Sequence, residues 1–187
     1  MKRPWQQGHL DGLCGVYALI NGVRYIEPRI DEEASLLLFS HLIDGMGEAG
    51  LLFRSLWRGL TARELIRLLP RLRAFVRDQF DVDLAWERPF RGRQIRIDKY
   101  VEWVRGTLKP NGRTVVLFSW SGGAPYRHWS VAYRVTRRCI CILDSGPDPL
   151  TLLAIAHCSA SRKSRAWYVI EPRDTIVIFD KSPPACE

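Results

Sequence analysis

The chain has 187 residues, of which 47% are hydrophobic and 26% charged, with a formal net charge of +8 at pH 7. That length and balance suit one domain with a sizeable core, and no apolar run approaches the roughly 20 residues needed to cross a bilayer. The positive balance points to an acidic partner, a nucleic acid or an anionic surface, and says nothing about fold.

In chain order, the first half reads as helical. After Cys14, the segment GVYALINGVRY sets Val16, Leu19, Ile20 and Val23 at helical spacing. Asp31 is the expected N-cap of EEASLLLFSHLI, with Gly45, Gly47 and Gly50 closing that helix. Thr61-Ala62-Arg63-Glu64 is a capping-box pattern ahead of LIRLLPRLRAFVRDQF, where Pro70 is expected to kink or divide the helix. A further helix over IDKYVEWVRGTL ends near Pro110. From Asn111-Gly112 onward the character changes to short β-branched and aromatic runs, RTVVLFSW, HWSVAYRV, RCICILD, AWYVI and DTIVIF, which predict strands. WERPFRGR, around Pro89, is the expected seam between lobes. The predicted class is α+β, a single domain with a helical lobe over about 1–110 and a β-rich lobe over about 111–187.

Five cysteines (Cys14, Cys139, Cys141, Cys158 and Cys186) are an odd number at irregular spacings, which argues for reduced thiols rather than a secreted disulfide framework. Cys14 stands where loop residues turn into helix, a position whose unpaired amides favour thiolate, and it is the candidate nucleophile. Gly12 and Gly15 are expected to keep the approach to its sulfur open, which makes Gly15 a candidate binding residue. A thiol nucleophile needs a base that exchanges protons near neutrality. Of four histidines, His9 lies on the entering loop, His41 in an amphipathic helix and His157 beside no evident partner. His128, opening a strand after SGGAPYR, is the best placed. A hairpin from it through Thr136-Arg137-Arg138 leads back to Asp144, which would orient the ring, with Asp148 as the fallback. The Cys14 backbone N–H and the side chain of Gln6 or Gln7 are candidate donors to an oxyanion. Trp129, next to His128, is expected to shield the imidazole or line the substrate groove.

Glutamine, then Cys-Gly heading a helix, then His opening a strand, then Asp ending the next strand resembles the papain-like cysteine peptidase superfamily. DGLCGVYALING with HWSVAYRV and LDSGPDP is most similar to the compact bacterial branch that includes the leader-processing peptidases of bacteriocin exporters. The likeness spans roughly residues 6–26 and 113–149 and leaves the helical middle unmatched. It implies a helical lobe carrying Cys14 packed on a β-rich lobe carrying His128, with Cys14 as nucleophile, His128 as base, Asp144 as orienting residue and Gln7 as oxyanion donor. Gln7 precedes Cys14 by 14 − 7 = 7 positions, one more than the usual spacing of the superfamily, so the loop bulges or Gln6 serves. Asp-Gly-x-Cys also resembles the ovarian-tumour-type deubiquitinases, whose histidine lies nearer the end of the chain.

The expected activity is therefore that of a cysteine hydrolase acting on an amide or isopeptide bond in a protein or peptide, with no cofactor. Its expected setting is the cytoplasm, or export without a classical signal peptide, and its small size suits a bacterial effector or toxin met by an acidic partner or inhibitor protein. The same triad would serve a glutamine deamidase or a transglutaminase-type acyltransferase. A third reading is a non-catalytic binding domain, since Arg63, Arg67 and Arg71, with Arg58, Arg73 and Arg77 near them, form a basic stripe that could meet nucleic acid. Cys139, Cys141, His157 and Cys158 do not assemble the closed set that structural zinc requires, and core thiols are the plainer account.

Overall fold

The computed structural model describes residues 4–6, 12–108, 112–122, 127–146, 150–161 and 164–182. Helices α1 (Cys14–Ile26), α2 (Glu32–Glu48), α3 (Leu52–Arg58) and α4 (Ala62–Phe80) come first, followed by strand β1 (Leu84–Glu87) and α5 (Ile97–Thr107). Strands β2 (Thr114–Ser121), β3 (His128–Val135), β4 (Cys139–Leu143), β5 (Leu152–Ala154), β6 (Cys158–Ser159) and β7 (Tyr168–Asp180) follow, with one 3-10 turn at Ile155–His157. They form one sheet in the order β1-β7-β2-β3-β4-β5, with β6 beside β7; every pairing is antiparallel except β6 with β7. The chain is of the α+β class.

The helix starts follow their caps. Asp31 accepts from the Ala34 N–H at 2.9 Å, and Thr61 and Glu64 close a reciprocal capping box on α4. Pro70, expected to kink or divide α4, does not divide it: the helix runs on through it. It is exposed, so the carbonyl one turn back that loses its donor lies on the solvent side. Gly45 and Gly47 likewise lie inside α2, and Gly50, at φ +66°, ends the segment.

The sheet is covered on both faces, by helices that precede WERPFRGR on one and by the helix that follows it on the other. The helices α1 to α4 pack with Val115, Leu117, Trp129, Val131 and Leu143 on one face. From α5, Tyr100, Val101 and Val104 pack with Val116, Phe118, Ala132, Ile142 and Ile170 on the other. β1 contributes an edge strand against β7 from within the half expected to be helical. The predicted runs AWYVI and DTIVIF are the two ends of β7, separated by an irregularity that carries Pro172 opposite Leu117–Ser119; a bulge is where a strand tolerates proline. Among the described residues no single helix is long and apolar enough to cross a membrane.

Candidate active site

Cys14 is the first residue of α1, preceded by Leu13, which caps with no side-chain hydrogen bond. The Val16 and Tyr17 amides bond the Leu13 carbonyl, whereas those of Cys14 and Gly15 take no acceptor among the described residues. Such amides carry the partial positive charge of a helix start. The approach to this end is held firmly. Trp5 N–H donates to Asn21 Oδ1 at 2.7 Å, Asn21 Nδ2 donates back to the Trp5 carbonyl at 3.1 Å, and Gly12 N–H donates to the Leu56 carbonyl at 2.7 Å.

The glycines here serve packing, contrary to the expectation that they open a path to the sulfur. A Cβ on Gly12 would stand 2.6 Å from the Ser55 carbonyl oxygen, and one on Gly15 2.9 Å from Leu65 Cδ2. Gly15 is buried where α1 meets α4 and is a helix-contact residue, not a binding one.

His128 opens β3, and β4 returns antiparallel with Val131 opposite Leu143 and Ala132 opposite Ile142. Continuing that register brings Asp144 beside Ser130 and within reach of His128. His128 Nε2 lies 2.5 Å from Asp144 Oδ1. The Cys14 side chain lies close enough to raise the imidazole. With Nε2 committed to Asp144, Nδ1 is the nitrogen left for sulfur. Cys14 comes from the layer on one face of the sheet and His128 from a strand position whose neighbours face the other. They meet because His128 is the first residue of its strand, where the sheet no longer separates the two layers.

A chain of hydrogen bonds sets the proton positions. Trp120 Nε1–H, which can only donate, reaches Ser130 Oγ at 2.9 Å. The Ser130 hydroxyl hydrogen goes to Asp144 Oδ1 at 2.8 Å, and Leu150 N–H donates to Asp144 Oδ2 at 3.1 Å. Donors on both oxygens favour the carboxylate, and a carboxylate in turn calls for a proton on His128 Nε2. Burial resists charge on His128, but the bonds to Asp144 and Cys14 and their fields outweigh it and push the imidazole up to about 10. Burial also opposes charge on Asp144; His128, Ser130 and the Leu150 amide overcome it and hold the carboxyl below its ordinary range. At neutral pH the pair is imidazolium and carboxylate.

Trp129 does not shield the ring. Side chains alternate along β3, so Trp129 points to the opposite face, where it is buried and donates to the Leu60 carbonyl at 2.8 Å. Trp120, the cross-strand partner of His128, takes the expected place, edge-on to the imidazole at 5.7 Å and 80°. Ser130 was also missed, although a polar residue two positions after His128 in an apolar strand must share its face. Gly146 is buried beside the pair: a Cβ there would stand 3.2 Å from Asp144 Oδ2 and 3.9 Å from His128 Cε1.

Gln6 is exposed, while Gln7, His9, Asp148 and Cys186 lie outside the described residues. His41 packs on Phe75 and His157 on Trp167. In the basic stripe Arg71 pairs with Glu48 and Arg73 with Asp83, while Arg58, Arg63, Arg67 and Arg77 are exposed or half-exposed. Among the described residues no group of three or more His, Cys, Asp or Glu side chains is placed to hold a metal ion. No family model, curated protein or solved structure matches the chain.

Proposed function

We propose that this chain is a papain-like cysteine hydrolase that cleaves an amide or isopeptide bond in a protein or peptide. The observation that carries the reading is the convergence of Cys14, His128 and Asp144 from positions far apart in the chain, with His128 Nε2 bonded to Asp144 Oδ1 and the Cys14 side chain close enough to raise the imidazole. In this reading the Cys14 sulfur attacks the substrate carbonyl, and the negative charge on its oxygen meets the free amides at the start of α1. His128, protonated and held by Asp144, gives its proton to the leaving amine as the C–N bond breaks, leaving a thioester. Water then attacks the thioester; His128 takes the water's proton, the sulfur departs, and the acid is released.

Iodoacetamide labelling followed by peptide mapping tests the premise. Cys14 is expected to react faster than Cys139, Cys141, Cys158 and Cys186, and His128→Ala to remove that preference; equal labelling of all five overturns it. The reaction is read by mass spectrometry of a denatured-protein peptide library, in which new termini are expected with the wild type and none with Cys14→Ala. Conversion of glutamine to glutamate without new termini reassigns the triad to deamidation.

A further inference from the structure

Helix α3 turns Leu52, Ser55 and Leu56 toward the core, while Phe53 and Trp57, four residues apart on the other side, are 80% and 73% exposed. Arg54 and Arg58, also exposed, follow one position behind each ring. A helix that only roofed the core would turn its rings inward, and large exposed rings side by side mark a contact surface.

This helix and the loop that follows it are tied to both halves of the active site. Gly12, two residues before Cys14, donates its N–H to the Leu56 carbonyl at 2.7 Å, and Trp129, next to His128, donates Nε1–H to the Leu60 carbonyl at 2.8 Å. Summing the bonded steps, with about 3.8 Å between consecutive Cα atoms, puts the Trp57 Cα within about 17 Å of the Cys14 Cα. An extended peptide rising about 3.3 Å per residue covers that span in roughly five residues.

We infer that α3 is the docking surface for the substrate, and that the substrate is an extended acidic segment with bulky apolar side chains no more than about five residues from the bond delivered to Cys14. What happens at Cys14 rests on the hydrolase reading above; the docking surface does not. Phe53 and Trp57 take the apolar side chains, and Arg54 and Arg58, on a chain of net charge +8, take the carboxylates. Arg54 is already oriented by its ion pair with Glu64, which the Thr61 cap holds in turn, so one of the two guanidiniums is placed before the partner arrives. Exposed aromatic and arginine side chains in one cluster are the composition in which binding energy concentrates.

The test uses immobilised 15-residue peptides in which a Phe-Leu pair and an Asp pair are stepped through a Gly-Ser-Gln background. The 187-residue chain carrying Cys14→Ala is the capture reagent, with and without Phe53→Ser and Trp57→Ser. Both rings are exposed, and folding is verified by wild-type iodoacetamide labelling of Cys14 in the Phe53→Ser, Trp57→Ser protein with its thiol intact. Capture is expected only where apolar and acidic pairs coincide, at least tenfold weaker in the ring variant and falling as salt rises. Capture indifferent to peptide composition, unchanged by the ring variant, or absent overturns the inference. So does loss, in the ring variant, of self-association or of binding to phosphatidylserine vesicles when peptide capture is unaltered. Peptides captured as expected but never cleaved by the wild type would sink the hydrolase reading and leave the docking surface standing.

Discussion

Asp144→Asn is the substitution that questions the site most directly. Three donors converge on this side chain: His128 Nε2–H and Ser130 Oγ–H on one oxygen, and the Leu150 N–H on the other. An amide offers one acceptor, so whichever way it turns, at least one buried donor faces the NH₂ group. Ser130 can turn its hydrogen away, since its oxygen keeps a second lone pair beside the one that accepts from Trp120 Nε1–H, but the fixed Leu150 N–H and the protonated His128 Nε2 cannot both be served by one amide oxygen. Breaking one side of a buried charged pair costs about 3–5 kcal/mol, or roughly 6–20 °C in Tm for a chain of this size. The second consequence is electrostatic. With the carboxylate gone, burial, which opposes charge on His128, is offset only by Cys14, and the imidazole falls from about 10 toward its ordinary 6.5. A proton-carbon NMR titration of His128, with a thermal melt on the same sample, reads both effects. A variant whose His128 still titrates near 10, or whose Tm is unchanged, would refute the placement of Asp144 as the source of the raised imidazole.

Ser130→Ala leaves the Trp120 N–H without its acceptor and is expected to cost about 1–3 kcal/mol; adding Trp120→Phe removes the stranded donor, so the double variant is less destabilised than the two single changes summed, as denaturant melts would show. Gly146→Ala puts a methyl 3.2 Å from Asp144 Oδ2, and its expected signature is slower Cys14 alkylation with little change in Tm. Gly12→Ala drives a Cβ to 2.6 Å from the Ser55 carbonyl oxygen and 2.9 Å from that of Leu56; since backbone must move, about 1–3 kcal/mol of stability is lost. The pH dependence has two limbs. His128 is raised on folding, so its contribution is complete below about 6.5 and fades as pH climbs through about 10. Asp144 is lowered, so its contribution is present above its ordinary 3.8 and is lost as pH falls through the depressed folded value. Melts across pH are therefore expected to show the pair's full stabilisation between those ordinary values, and its absence in Asp144→Asn.

The parts of the site that lie on regular elements were legible in the sequence. Cys14 heads a helix whose apolar spacing is plain, and a short turn between two alternating strands is enough to return Asp144 to His128. Helix α3 was not, because LFRSLWR is short and apolar on two sides, Leu52 and Leu56 packing inward and Phe53 and Trp57 facing outward, so no single apolar stripe announces it. The four residues of β1 are too few for alternation to register, and they need β7 as a template. Pro70 misled because a proline costs a helix one bond and a steric clash wherever it stands, but on a solvent-facing turn the freed carbonyl has water at hand.

The role of the glycines and tryptophans near the site could not be read locally, because each depends on a partner distant in sequence. Gly15 answers to Leu65, Gly12 to Ser55 and Trp129 to Leu60. The same contacts explain why Cys14 and His128 keep a fixed relation although they approach from opposite layers of the fold. The loop between α3 and α4 receives Trp129, whose neighbour is His128, and α3 itself receives the amide of Gly12, two residues from Cys14. Sliding the helical layer along the sheet would stretch the Trp129–Leu60 bond, while the Gly12–Leu56 bond ties the start of α1 to α3 within that layer, so the placement of the Cys14 sulfur relative to the imidazole is set by packing around α3.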